Sequence, residues 1–417
     1  MDTLLPFAVC LVLITVAAVR YHLPPFLTLV GASILFGALS GMPAGVFMPA
    51  ITGGAGRLFG ILGIVIFSGA VIAQVLRESR LIEIIVADIT RVAGRPLHTS
   101  GLAGFLLSVP LMCSITSFVI LSPIVAHLRS GGSGVRQLLY VLAVGGSLSF
   151  VLLYPSPVMH SILSTLNFYP GDPWRIDVVT LPIALALLAA LLLASRRRLP
   201  PPEEGDTAPP AEAPAQERLR AWAPFAVLLL VLAAGAALPA FDLLGDINIA
   251  LLAALIAALA GVTGEVRLRA LAKGTKNAGI IIFDLSGAGA FGAVIAASAF
   301  PSEVYALALP VMPEILLPFV VAALVQAAQG SRVVTAAVTS TILGASGAVS
   351  ALNPAATALM ICAGAFSFSY VSDPFFWLIK RTTGDGFSSV VRHYTLPLFI
   401  AGMVTLAAAL LVQAVLG

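Results

Sequence analysis

Gln326, Gln329, Gly330, Ser331 and Arg332 interrupt an otherwise apolar stretch, PEILLPFVVAALVQAAQGSRVVTAAVTSTILGA, that runs from Pro313 to Ala345. An arginine near the centre of a membrane helix costs roughly 2.5–3.5 kcal/mol on insertion scales, so it calls for an anionic partner. Its planar fork of donors suits a carboxylate. Two readings of Arg332 stand side by side. It either snorkels outward or pairs with Glu314 at the base of the segment, or it clamps the carboxylate of a bound anion. Its place directly after Gly330 and Ser331 favours the clamp, with Ser331 and Thr335 as neighbouring hydroxyls.

Two acidic residues sit in equally apolar settings. Asp284 lies in IIIFDLSGAGAFG, where a carboxyl held away from water is suited to carrying a proton. A local pairing with Arg332 or a serine hydroxyl is the alternative. Asp373 precedes Pro374, and proline both lacks a backbone donor and disfavours helix at the residue before it. The chain is therefore predicted to break at 371–374, exposing Ser372 and Asp373. Ser156 and Pro157 mark a corresponding break earlier in the chain, and Ser114, Thr116 and Ser117 form a further hydroxyl cluster. A glycine run at 287–292 fits Gly-x-Gly-x-x-Gly, but the strand that a nucleotide site requires does not precede it. Close helix packing through small residues is expected there instead. No cluster suggests a metal, no nucleophile set suggests hydrolysis, and no cofactor or nucleic-acid partner is expected.

The elements that must hold these residues are membrane helices. Of 417 residues, 59% are hydrophobic and 10% charged, with mean hydropathy +1.05, whereas soluble domains carry about 25% charge. Cys10, Cys113 and Cys362 all lie in apolar surroundings, which leaves no pair suited to an extracellular disulfide. Apolar runs at 4–19, 23–41, 59–76, 137–154 and 176–195 are predicted to span, with a broken stretch at 99–128. Five more runs follow at 222–240, 247–262, 277–299, 353–372 and 394–416, and the Pro313–Ala345 segment lies among them as a helix, polar tip, helix hairpin. Irregular backbone at membrane depth survives only where protein or a watery cavity surrounds it.

Threading these runs alternately places 19 of the 22 basic residues on one side, all except Arg57, Arg175 and Arg332. That side is predicted to be cytoplasmic, which puts both termini outside and the Pro/Ala/Glu-rich linker at 196–221 inside. Five spans per half is an odd number, so residues 1–195 and 222–417 are predicted to be two inverted repeats whose hairpins enter from opposite faces. IVIF at 64–67 recurs as IIIF at 280–283, Ser114 pairs with Ser331, and Ser156-Pro157 pairs with Asp373-Pro374. Such repeats with interrupted helices point to a secondary transporter.

FSFSYVSDPFFWLIK at 366–380, Gly330-Ser331 with the following VVTAAVTS, LRESRLIE at 76–83, VPLMCSITSFVILSPI at 109–124 and LLYPSPVMH at 152–160 together resemble the gluconate permease family, within the wider ion transporter superfamily. The sequence departs from that pattern in having no acid near Met112 to Thr116 and an arginine, Arg332, where the family usually has a small residue. The resemblance implies an all-α membrane carrier, ten spans plus two re-entrant hairpins, in a prokaryotic inner membrane. It implies cation-coupled uptake of a small hydroxy-carboxylate, and a homodimer among membrane lipid. Ser114, Thr116 and Ser117 at one tip, and Gly330, Ser331, Arg332 and Thr335 at the other, are expected to meet the substrate together with Ser156 and Ser372. Asp284 and Asp373 are expected to carry the coupling proton. Sodium coupling, an amino-acid substrate and an anion channel are the alternatives.

Overall fold

Proline and glycine divide this apolar chain into helices. Pro25, Pro96, Pro157, Pro354 and Pro374 each begin a helix, where the missing N–H would have had no partner. Gly94, Gly330 and Gly384 each follow a helix in the left-handed conformation. The computed structural model describes residues 3–417 except 22, 129–131, 197–212, 238–242, 309, 311, 347–348, 350 and 371. Most of the expected linker, and Val371 within the expected break, therefore lie outside the described residues.

The first half contains α1 (Leu4–Arg20), α2 (Pro25–Leu39), α3 (Ala44–Glu78), α4 (Leu81–Ala93), α5 (Pro96–Ser108), α6 (Ser114–Ala126), α7 (Gly132–Leu152), α8 (Pro157–Leu166) and α9 (Asp177–Arg196). The second contains α10 (Ala215–Ala237), α11 (Ile247–Ala260), α12 (Gly264–Ala296), α13 (Phe300–Ala308), α14 (Leu317–Gln329), α15 (Arg332–Ser346), α16 (Pro354–Ser367), α17 (Pro374–Thr383), α18 (Phe387–Val390) and α19 (Leu396–Leu416). A π-helical turn at Val391–Thr395 leads into α19. The described residues are helical throughout their regular structure, as the sequence leads one to expect.

Each predicted span overlaps a helix, although α16 stops at Ser367, short of the predicted 372, and both broken stretches resolve into helix pairs. Among the described residues six helical stretches are long and apolar enough to cross a membrane by length and composition. The protein is thus a multi-pass membrane protein. The main departures are at α3, which begins at Ala44 rather than near 59, and α12, which begins at Gly264 rather than near 277. The glycine-rich start of α3, which propensity would leave weakly helical, is held by packing. A Cβ at Gly54 would strike the carbonyl of Gly289, and one at Gly289 would strike that of Gly54. α3 and α12 therefore cross backbone to backbone, and the 287–292 glycines serve close packing.

The chain forms two compact units, each drawn from both sequence halves. One comprises Met1–Gly63, Val158–Ile183 and Ile281–Gly417, and the other Ile64–Pro157 and Ala184–Ile280. The pairs α5/α6 and α14/α15 fall in different units. In the second unit Asp88 of α4 accepts from Arg218 Nε at 3.1 Å and Trp222 Nε1 at 3.0 Å, both on α10. Lys273 Nζ donates to Glu78 at 2.6 Å, joining the ends of α12 and α3 within that unit.

Candidate functional site

α14 ends because Gly330 takes a left-handed φ of 76°, which residues with a side chain adopt at a cost. Its N–H donates to the Gln326 carbonyl at 2.9 Å. The fully buried Gln326 amide then closes the turn: Nε2 donates to the Gly330 carbonyl at 2.9 Å and Oε1 accepts from Thr335 Oγ1 at 2.7 Å. Ser331 N–H donates to Gln329 Oε1 at 3.0 Å, and Thr15 Oγ1 of α1 donates to the Ala328 carbonyl at 3.0 Å. The two-residue break is thus tied on several sides. A Cβ on Gly330 would run into the Ser372 carbonyl, so this tip abuts the gap between α16 and α17.

That gap covers 368–373. Asp373 caps α17, with Oδ1 accepting from the Phe375 N–H at 2.8 Å. Its other oxygen, Oδ2, accepts from Arg332 Nη2 at 3.2 Å and Tyr394 OH at 3.0 Å. Arg332 Nη2 also donates to Ser369 Oγ and Tyr394 OH, each at 2.7 Å. The guanidinium carbon lies 5.9 Å from the Tyr394 ring centroid, and Phe375 packs edge-on to that ring at 5.5 Å. Tyr394 belongs to the π-helical turn, and Thr395 Oγ1 from the same turn donates to the Ser369 carbonyl at 2.6 Å. Arg332 is 5% exposed, Asp373 1% and Tyr394 0%.

The cluster is an ion pair out of water, held by neutral hydroxyls. Desolvation of two charges is costly, and the mutual attraction offsets it only with good geometry and satisfied partners. The geometry leaves donors over: the bonds of the guanidinium all run from Nη2, and among the described residues its buried Nε meets no acceptor. The guanidinium therefore retains hydrogen-bonding capacity towards an added oxygen. Such a group binds carboxylates, and its neutral balance is upset if one arrives.

The partner of Arg332 is Asp373, whereas the sequence offered Glu314 or Asp284. Asp284 Oδ1 accepts from the Phe26 N–H at 3.2 Å, joining α12 to the start of α2. Thr335, expected at the substrate, is fully buried and spends its proton on Gln326. Ser372 is buried, with a long contact of 3.5 Å to the Gln326 carbonyl, and Ser331 is half-buried at the tip.

The other break, Val109–Cys113 between α5 and α6, lies in the other unit. Cys113 Sγ caps α6 by accepting from Thr116 N–H at 3.4 Å, and Met112 takes a φ of 53°. A Cβ on Gly69 of α3 would collide with the Met112 side chain. Ser114 and Ser117 are buried and Thr116 half-buried. Among the described residues the Ser117 and Ser108 hydroxyls have no partner. Ser156 is fully buried in the gap between α7 and α8, its N–H donating to the Leu153 carbonyl at 3.0 Å.

Sequence reasoning missed Ser369, Tyr394 and the structural part of Gln326. Ser369 carried a signal, being one of three serines within FSFSYVSDP. Tyr394 carried none, because its inward position depends on the π-helical turn.

Comparison with known proteins bears on the whole chain. The model of the GntP family of permeases matches residues 3–199 and 223–415. A gluconate permease of Pseudomonas aeruginosa is 28% identical, covering 100% of this chain and 98% of the relative. The low-affinity gluconate transporter of Escherichia coli K12 is 24% identical over 95% of this chain and 94% of its own. Among solved structures, the YdaH transporter of Alcanivorax borkumensis superposes with a TM-score of 0.61 at 17% identity, covering 94% of this chain and 97% of that one, a likeness of fold.

Proposed function

The chain belongs to the GntP permease family, a transporter and not an enzyme, and on that premise we propose that it carries a small hydroxy-carboxylate such as gluconate across a prokaryotic inner membrane together with a proton. The observation that carries this reading is the buried Arg332–Asp373 pair with its spare Nε donor. When a substrate carboxylate takes the guanidinium, the cluster holds two anions against one cation away from water. A proton on Asp373 restores neutrality, and Tyr394 and Ser369 remain to hold the displaced group. Anion and proton thus bind together because each alone leaves an uncompensated buried charge. Asp284, bonded to a backbone N–H on α2, is the second acidic residue on which coupling is to be tested.

The names of the relatives support the substrate class. The ten-span threading with two re-entrant hairpins, the inverted repeats and a cytoplasmic 196–221 linker belong to the same proposal. Purified protein in liposomes tests it. Labelled gluconate should exchange in counterflow and accumulate under an inward proton gradient without sodium. Accumulation that requires sodium overturns proton coupling, and flux without counterflow makes the protein a channel.

A further inference from the structure

Arg57 is one of two basic residues that the threading places opposite the basic loops. It is exposed, and among the described residues no hydrogen bond or ion pair is made with it. It lines a cavity of about 370 Å³ together with Gly53 and Gly54 of α3, Gly289 of α12, Thr165 of α8 and Thr341 of α15. Among the described residues no acidic one lines this space. All of these residues belong to one compact unit, and none takes part in the Arg332 cluster.

The cavity follows from the glycine crossing. Where Gly54 and Gly289 touch, α3 and α12 approach backbone to backbone. The small residues beside the crossing leave the gap unfilled, and Gly53 has open space where a side chain would lie. Arg57, three positions after Gly54, lies on the same helix face one turn along. Thr341 Oγ1 donates its proton to the Ala337 carbonyl at 2.8 Å, so its lone pairs are left to accept from a ligand hydroxyl. Thr165 adds a second hydroxyl. Ligand pockets run from about 300 to 1,000 Å³, and this one falls at the small end.

We propose that this cavity is a second anion subsite, in which Arg57 takes the carboxylate and Thr165 and Thr341 the hydroxyls of a small hydroxy-carboxylate before it reaches the Arg332 cluster. The proposal rests on the transporter reading for its order of events and on the cavity alone for its chemistry.

The test places a thiol at the site in the full-length chain with Cys10, Cys113 and Cys362 replaced by serine. Gly53→Cys fills open space, and Thr165→Cys serves as a second reporter should the first fail to fold. Maleimide labelling in detergent should slow severalfold when D-gluconate is added. Arg57→Gln should abolish that protection, and Arg332→Ala should keep it. Protection that survives Arg57→Gln overturns the subsite, as does its absence in the parent. Protection lost with Arg332→Ala means that the effect is transmitted from the other cluster, and also overturns it. Vesicles of phosphatidylglycerol should give no protection of their own; if they protect and gluconate adds nothing, the occupant is a headgroup phosphate. A parent that shows protection but carries no gluconate in liposomes contradicts the transport reading and leaves the subsite standing.

Discussion

At the break between α5 and α6 the polar groups are the hydroxyls of Ser108, Ser114, Thr116 and Ser117 and the Cys113 thiol, with no charge among them. At the break between α14 and α15 they include a buried arginine, held to an aspartate and a tyrosine from two further elements. The supports also differ. The first break is five residues long and leans on Gly69 beneath Met112, while the second is two residues long and depends on a left-handed glycine seated against the α16–α17 gap. A neutral tip can leave hydroxyls such as Ser117 without a partner at a cost far below that of a bare charge. A charged tip has no such latitude, because every partner removed leaves a bare charge. On the reading proposed above, recognition of charge, and with it coupling, falls to the second break.

The comparison can be broken from its charged side first. Arg332→Ala leaves Asp373 buried and unpaired, for which about 3–5 kcal/mol of destabilisation is expected. Thermal unfolding in detergent should report that loss, and anion binding at the Arg332 cluster should disappear with it. Arg332→Lys keeps charge without the fork, so it should retain part of both; binding undiminished in either variant removes Arg332 from the substrate site. Gly330→Ala comes next, because it combines a disfavoured φ with a collision at the Ser372 carbonyl, and unfolding at a lower temperature than the parent is the expected result. Tyr394→Phe removes one hydroxyl bonded to both charges, which is worth about 1.5–3 kcal/mol, and gluconate affinity should fall correspondingly in calorimetry.

The smallest effects sharpen the contrast. Asp284→Asn keeps an acceptor for the Phe26 N–H, so accumulation driven by a pH gradient should survive. If accumulation fails while counterflow persists, the coupling proton belongs on Asp284. Ser117→Ala removes a hydroxyl that has no partner among the described residues, so no hydrogen bond is lost and stability should change by less than about 1 kcal/mol. A loss of gluconate affinity without loss of stability would mark Ser117 as a ligand; unchanged affinity would leave the first break a scaffold.

The breaks themselves were legible because proline and glycine act locally. Pro374 and Gly330 announce where helices stop whatever surrounds them, and apolar length announces where they run. The start of α3 was not legible, since a glycine-rich segment is weakly helical by itself and needs α12 across the Gly54–Gly289 crossing. The Arg332–Asp373 pair joins residues 41 positions apart, and the sequence pointed to Glu314 or Asp284 as the partner instead. What selects Asp373 is the docking of the tip against the α16–α17 gap, which depends on Gly330 having no side chain. Tyr394 was illegible for the same reason, being turned inward by a π-helical turn that local propensity does not foretell.

The central claim is that a substrate anion and a proton enter the Arg332 cluster together. Purified protein in a weakly buffered detergent solution, mixed with D-gluconate at matched pH, tests this directly by the change in solution pH. Binding at the Arg332 cluster should withdraw about one proton per anion, since the bound state holds more protons than the free one, and Asp373→Asn should abolish that uptake. Gluconate binding by the parent with no proton withdrawn would contradict the account.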